Sequence, residues 1–152
     1  MNPTAISSPF FATVLAALLP TLGCGPVPGG PLRGELAPVP PDWSGPLGGD
    51  RSFCEVESRP ADPHSIQLEC FTHDGALYAQ SHRWALAEWW PVESWAAIWL
   101  EHPDVRVRIG EQIFELRAVR VTDSAVREPI LKERGYDPVP EGIVLFRFEA
   151  RS

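Results

Sequence analysis

The stretch PDVRVRIGEQIFELRAVRV, residues 103–121, decides the fold and predicts a β-hairpin. Apolar residues alternate with arginines from Val105 to Ile109, and this two-residue period predicts a strand with one buried and one solvent-exposed face. Gly110 begins a two-residue loop, where a type II′ turn requires a positive φ that glycine adopts without strain. We therefore expect the return strand to begin at Gln112.

The apolar positions of the return strand change face part of the way along it. Leu116 and Ala118 share one side, whereas Val119 and Val121 lie on the other. An extra unpaired residue produces such a switch, and bulges of this kind are frequent at the rims of barrels. The pattern therefore predicts a β-bulge between Arg117 and Val119.

The charge of the chain argues against one class of partner. Its 152 residues include 13 basic and 20 acidic ones, which give a net charge of −7. Nucleic-acid binding depends on basic patches that neutralise phosphates, so we expect no nucleic-acid partner. Alternation on an exposed strand face explains the main cluster of positive charge. That cluster consists of Arg106, Arg108, Arg117 and Arg120.

An apolar run, FFATVLAALL at residues 10–19, precedes the first charged residue, Arg33. It has the length of a signal-peptide core and is too short to span a bilayer, which predicts a signal peptide over residues 1–23. The segment from Thr21 to Cys24 resembles the lipobox of bacterial lipoproteins, although Thr21 and Leu22 depart from its usual pattern. The resemblance implies that Cys24 is lipidated and tethers the chain to a bacterial membrane. An ordinary cleaved signal and an uncleaved apolar tail are the alternatives.

Residues 24–50 are predicted to form a linker between this anchor and a folded domain at residues 51–152. Seven prolines and seven glycines occur among the 25 residues from Gly25 to Gly49, so burial offers little to offset the entropy cost of ordering them. We expect Trp43 to be the one residue of this segment that contacts the domain. A disordered tail without an anchor has the same composition.

Short alternating strands are expected at residues 53–58, 65–71 and 76–81. The dipeptide Asp74-Gly75 is typical of a two-residue hairpin turn and pairs Phe71 with Tyr78. The inner face of this hairpin then carries the apolar residues, as a two-residue period requires.

The preceding hairpin brings two cysteines together if it is symmetric about Asp62. Cys54 then lies opposite Cys70 on the inner face, where Cα atoms about 4.5 to 5.5 Å apart are within reach of a disulfide. The same register opposes Glu55 to Glu69, which is unfavourable. A disulfide between Cys54 and Cys70 suits an exported protein, and two small buried thiols are the alternative.

Tryptophans are concentrated before the central hairpin. Pro91 suits the first turn of a helix, apolar residues recur at helical spacing as far as Leu100, and His102-Pro103 ends the pattern. We expect this helix to close one end of a barrel. The three tryptophans before it are Trp84, Trp89 and Trp90. They either pack against the domain or stack on a planar ligand.

The C-terminal part completes the predicted fold. Asp123 can cap a helix, but Pro129 should break it, so two short helical pieces are expected before Gly135. A closing strand follows, with alternating apolar residues from Val144 to Ala150. The fold class is therefore mainly β: a small antiparallel split β-barrel of about six strands with one or two short helices.

Motifs for nucleotide or metal binding are absent from the sequence, which contains no GxGxxG, P-loop, CxxC or HExxH pattern. The histidines are His64, His73, His82 and His102. Their spacing is not that of metal ligands, and we interpret them as surface residues. Nothing in the sequence places a base beside a nucleophile, so no catalytic residue is predicted.

From Phe53 to Phe148 the order of segments resembles the split-barrel flavoproteins, and within them the deazaflavin-dependent nitroreductase-like branch. The similarity is carried by the Asp-Gly hairpin, the tryptophan-led helix that ends at His102-Pro103, and the strand that follows it. It implies a bound FMN or deazaflavin. The residues that the resemblance places near this cofactor are Arg59, His64, His82, Arg83 and Trp84. The family's basic, glycine-rich turn, which helps to hold the phosphate, is replaced here by a turn in which Asp62 would repel it.

Two functions stay open at this point. The first, which we favour, is a membrane-tethered module of the bacterial cell envelope, periplasmic or otherwise extracytoplasmic, that binds a small molecule or a protein partner without a cofactor or catalysis. The alternative is a flavin or deazaflavin-dependent oxidoreductase. The missing phosphate ligands and the expected export favour the first, and fold alone does not decide between them.

Overall fold

The computed structural model describes residues 29–59, 61–89 and 93–151. In this part of the chain six strands form a closed antiparallel barrel, to which one short strand and three short helices are added. The strands are β1 (Glu35–Leu36), β2 (Arg51–Ser58), β3 (His64–His73), β4 (Ala76–Gln80), β5 (Asp104–Ile109), β6 (Gln112–Arg120) and β7 (Leu145–Ala150). The helices are α1 (Ser44–Leu47), α2 (Trp95–Glu101) and α3 (Ser124–Glu133).

The barrel runs in the order β6, β5, β2, β3, β4 and β7, and it closes where β7 pairs with β6. The C-terminal half of β6 pairs with β7, whereas Gln112 and Ile113 of its N-terminal half pair with the parallel strand β1. The inner faces of the strands supply one hydrophobic core. The predicted small antiparallel barrel of about six strands is therefore confirmed.

The central hairpin forms as the sequence predicts. Gly110 has a φ of 60°, and Ile109 pairs with Gln112 across the two-residue turn. Val105 and Val107 are fully buried on the inner face, while the intervening arginines point to the outside of the barrel.

The predicted bulge in β6 is wrong. This strand pairs with β7 residue by residue from Leu116 to Arg120, so its register is continuous there. Apolar residues appear on the outer face because a second hydrophobic cluster lies outside the barrel. In that cluster Val121 packs with Ile130 and Leu131 of α3.

The turn between β3 and β4 has the predicted register, with Phe71 opposite Tyr78. The register of β2 with β3 differs from the prediction by two residues, because Cys54 lies opposite Leu68 rather than Cys70. The cause is the loop at residues 59–63, where Arg59 has a φ of 57° and its carbonyl accepts a hydrogen bond from the Asp62 N–H at 2.9 Å.

A shift of two residues leaves each side chain on its predicted face, because side chains alternate with a period of two. Cys54 and Cys70 are therefore diagonal neighbours on the inner face, and they form a disulfide with a Cα–Cα distance of 5.8 Å. The shift also removes the unfavourable pair of acids, since Glu55 lies opposite Gln67 and forms an ion pair with Arg108.

The expectation of a linker is wrong for residues 29–49, which pack on the barrel. Leu32, Trp43 and Leu47 are buried there, although Trp43 alone was expected to make a contact. The Trp43 ring meets Phe114 edge-on at 4.8 Å, and the backbone N–H of Trp43 donates to the carbonyl of Gly75. A few apolar side chains and the open half of β6 thus suffice to order a segment rich in proline and glycine.

Helix α2 begins after Ser94, whose Oγ accepts a hydrogen bond from the Ala97 N–H at 3.2 Å. The helix ends at Glu101, before His102-Pro103, as predicted. Trp99 is buried against Phe146 of the core, which agrees with a helix that closes one end of the barrel.

Helix α3 runs through Pro129, so the predicted break is wrong. Asp123 caps the helix as expected, with its Oδ1 accepting from the Ala125 N–H at 2.9 Å. Proline removes one hydrogen bond to the carbonyl of Ala125, but both residues are exposed, so water can satisfy that carbonyl. Burial of Ile130 and Leu131, which directly follow Pro129, stabilises the helix.

Several predictions lie outside the described residues, namely the signal peptide at 1–23, the lipidation of Cys24 and the positions of Trp90 and Pro91. Within the three described ranges, no helix combines the length and the apolar character that crossing a bilayer requires.

Candidate functional site

The residues that the family resemblance singles out lie at one end of the barrel, where β2 and β4 end and β3 begins. Arg59 follows β2, His64 begins β3, and residues 82–84 follow β4. Four of these residues, His64, His82, Arg83 and Trp84, line two neighbouring pockets, and His82 lines both of them.

The larger pocket has a volume of about 530 Å³, and we call it the aromatic pocket. It is lined by His82, Arg83, Trp84, Tyr136, Pro140 and Ile143. The Arg83 guanidinium lies 4.3 Å from the centre of the Trp84 ring, a cation–π contact that holds both side chains at the rim. The pocket therefore combines an apolar wall with one cation.

Close backbone packing builds the wall of this pocket. A Cβ atom added to Gly142 would overlap the carbonyl oxygen of Arg83, so only glycine lets these two segments approach. The Tyr136 hydroxyl accepts a hydrogen bond from Gln80 Nε2 at 2.7 Å, and Gln80 Oε1 in turn accepts from Arg134 Nε at 3.3 Å. These contacts fix the segment between α3 and β7 against β4.

The smaller pocket, which we call the inner pocket, has a volume of about 300 Å³ and lies beside the first turn of α2. It is lined by Ser58, His64, Ile66, His82, Glu93, Ser94, Trp95 and Ile98. Glu93 forms an ion pair with Arg59, with 2.6 Å between Oε2 and Nη2. The pocket therefore has a carboxylate at its edge, and the nearby guanidinium is already paired with it.

The turn between β2 and β3, where the resembled family holds its phosphate, does not fit a flavin phosphate. Binding an anion away from water requires cationic or backbone donors aimed at it. Arg59 is engaged by Glu93, and Asp62 follows in the same turn. His82, Arg83 and Trp84 do share a pocket, but His64 lies in the neighbouring one and Arg59 lines neither.

Two serine hydroxyls near His82, those of Ser81 and Ser94, donate to backbone carbonyls. Ser81 Oγ donates to the carbonyl of His82 at 3.0 Å, and Ser94 Oγ donates to the carbonyl of Ala85 at 2.5 Å. His82 Nδ1 accepts the backbone N–H of Trp84 at 3.2 Å. A nucleophile needs a base positioned to take its proton, and neither serine hydroxyl is directed at a histidine in this arrangement.

Three of the four hairpin arginines, namely Arg106, Arg108 and Arg117, are paired with acids on the outside of the barrel. Arg106 Nη1 is 3.2 Å from Oε1 of Glu57, a carboxylate that is 5% exposed and also accepts the N–H of Leu32 at 2.5 Å. Arg117 pairs with Asp104 at 3.1 Å. These side chains form a ladder of alternating charge and not a basic patch, as the alternating sequence indicates.

Sequence reasoning did not indicate three residues of the aromatic pocket: Tyr136, Pro140 and Ile143. The local signal was weak, since a single tyrosine in a proline-rich segment is typical of many surface turns. No cluster of three or more histidine, cysteine, aspartate or glutamate side chains is placed to hold a metal ion within the part of the chain that the structure describes.

Comparison with known proteins identifies no family model and no curated protein that matches the chain.

Proposed function

We propose that this protein is a membrane-tethered β-barrel module of the bacterial cell envelope, and that it binds a small ligand without catalysing a reaction. The observation that carries the proposal is the aromatic pocket. Its volume of about 530 Å³ is within the range of small-molecule sites, and its walls are mostly apolar with a few polar groups at the rim.

The pocket favours binding over catalysis because its polar groups already have structural partners. The Tyr136 hydroxyl accepts from Gln80, and the Arg83 guanidinium stacks on Trp84. The neighbouring Ser81 hydroxyl donates to a backbone carbonyl. A general base or nucleophile would have to leave such contacts before it could act on a substrate.

The lining also indicates the chemistry of the ligand. A planar apolar body fits against Trp84, Pro140 and Ile143, and an anionic or hydrogen-bond-accepting group fits beside Arg83. One stacked aromatic contact contributes only about 1 kcal/mol, so affinity depends on filling the apolar wall.

Two further observations support an exported, tethered module. The disulfide between Cys54 and Cys70 is typical of oxidising compartments outside the cytoplasm. The apolar run at residues 10–19 is followed by Cys24 at the position of a lipobox cysteine. Intact-mass spectrometry of membrane-extracted protein should find a chain that begins at Cys24 with added acyl mass. Retention of Met1 would contradict the tether.

Binding can be tested with anilinonaphthalenesulfonate, an aromatic probe that carries one sulfonate. We expect saturable enhancement of its fluorescence, and Trp84→Ala should weaken the affinity about fivefold, the equivalent of about 1 kcal/mol. Val126→Ala is the matched control, because Val126 is an exposed apolar residue on α3 outside the pocket. Fluorescence enhancement that does not saturate would contradict the proposal, and so would an equal affinity of the two variants for the probe.

A further inference from the structure

Large apolar side chains are exposed in the segment that connects β4 to α2. Trp84 is 42% exposed, Leu86 39% and Trp89 66%. The ring centroids of the two tryptophans are 5.7 Å apart, so these rings form one surface. We call Trp84, Leu86 and Trp89 the exposed aromatic patch.

The N-terminal segment joins the barrel near this patch. The Gly29 N–H donates to the carbonyl of Ser65 at 2.8 Å, and the Gly29 carbonyl accepts the N–H of Ser65 at 2.9 Å. Ser65 follows His64, which lines the inner pocket together with His82. The junction at Gly29 and the start of the segment that carries the patch are thus at the same end of the barrel.

The tether is too short to let this end move far from a membrane. Only residues 25–28 separate Cys24 from Gly29, and an extended chain spans at most about 18 Å between the Cα atoms of these two residues. This step rests on the proposed function, in which Cys24 carries the lipid. The linker that the composition predicts over residues 24–50 would have allowed a far longer reach.

We infer that the exposed aromatic patch contacts the phospholipid surface to which Cys24 is anchored. Tryptophan has an apolar body and a polar N–H, which suits the headgroup level of a bilayer. Arg83, stacked on Trp84, lies where a guanidinium meets lipid phosphates. The contact depends on apolar burial and the tether, because a chain with a net charge of −7 gains no general attraction from anionic lipids.

The test uses the mature, acylated protein that begins at Cys24, in phosphatidylcholine vesicles with brominated acyl chains in one sample and ordinary chains in the other. Bromine quenches tryptophan emission at short range. We expect lower emission in the brominated vesicles, and a much smaller difference in the Trp84→Phe/Trp89→Phe double variant, which keeps the apolar surface. Buried Trp43 and Trp99 provide emission that stays unquenched.

A matched control places a reporter far from the patch. Phe53 is 69% exposed on β2, five residues or about 16 Å along the strand from Ser58 at the patch end. The extra emission from a Phe53→Trp variant should be the same in brominated and ordinary vesicles. If bromine quenched this added tryptophan as strongly as those of the patch, the proposed orientation would be overturned. Vesicle-bound protein without any quenching would overturn the contact and leave the tether standing. Protein that does not sediment with the vesicles would refute the tether and this inference together.

Discussion

Arg59 and Glu93 form an ion pair, with 2.6 Å between Nη2 and Oε2, that connects the loop after β2 to the segment before α2. Both side chains are more than one-third exposed, so the pair itself contributes at most about 1 kcal/mol to stability. The ion pair also affects binding, because Glu93 engages the cation nearest the turn where the resembled family holds the flavin phosphate. The ion pair is thus a physical reason to expect weak flavin binding.

We expect no saturable quenching of tryptophan fluorescence by micromolar FMN. Arg83 is the one arginine or lysine that lines the aromatic pocket, and a phosphate that lacks further donors aimed at it loses several kcal/mol of hydration. Stacking on one exposed tryptophan returns only about 1 kcal/mol. Arg59→Ala should leave this weak binding unchanged, and Glu93→Gln should strengthen it by freeing Arg59. Saturable binding that Arg59→Ala abolishes would revive the oxidoreductase alternative.

The disulfide between Cys54 and Cys70 should stabilise the folded protein. The cysteines are 16 positions apart in sequence, and closing a loop of this length contributes about 3 kcal/mol in the chain-entropy model. The Cys54→Ser/Cys70→Ser variant should therefore unfold at a lower urea concentration than the parent, and Cys24→Ser serves as the control. Two free thiols beyond Cys24, titrated in the unfolded and unreduced protein, would contradict the bridge.

Gly142→Ala should disturb the aromatic pocket. The added Cβ would overlap the carbonyl oxygen of Arg83, and relieving such an overlap costs about 1 to 3 kcal/mol and displaces the Arg83–Trp84 wall. We expect a lower free energy of unfolding and weaker binding of anilinonaphthalenesulfonate. Gly45→Ala is the control, because a Cβ there meets open space. Equal effects of the two substitutions would argue against this account of the pocket wall.

Trp43→Ala tests whether the proline-rich segment belongs to the folded body. Trp43 is 4% exposed in the core, and truncating a buried tryptophan costs about 3 to 5 kcal/mol. Val39→Ala, in the same segment but 36% exposed, should change the free energy of unfolding little. Urea denaturation measures both variants, and a neutral Trp43→Ala would mean that the segment is a linker after all.

The local parts of the fold are predictable because their signals are local. A two-residue period and a glycine with positive φ at Gly110 suffice to predict the central hairpin. The dipeptide Asp74-Gly75 suffices to predict the hairpin of β3 and β4. Register across the longer loop at residues 59–63 is harder to predict. A shift of two residues preserves both faces, so the alternation of apolar residues is the same for either register.

The candidate site was likewise only partly predictable from local sequence signals. His82, Arg83 and Trp84 are adjacent in sequence, and the family resemblance indicated them together. Tyr136 and Ile143 complete the pocket from a segment more than 50 residues away, and Gly142 sets how closely that segment approaches. No pattern within one segment reports on such a distant contact.

By itself the sequence determined the six strands of the barrel, the two tight turns, the inner face of the barrel and the pair of cysteines on it. These follow from alternation and backbone preference, which act over a few residues. Only the tertiary structure decided that residues 29–49 pack on the barrel, that α3 continues through Pro129, and that the aromatic pocket forms. Each of these depends on burial between segments far apart in the chain, and such burial can outweigh the local preferences of proline and glycine.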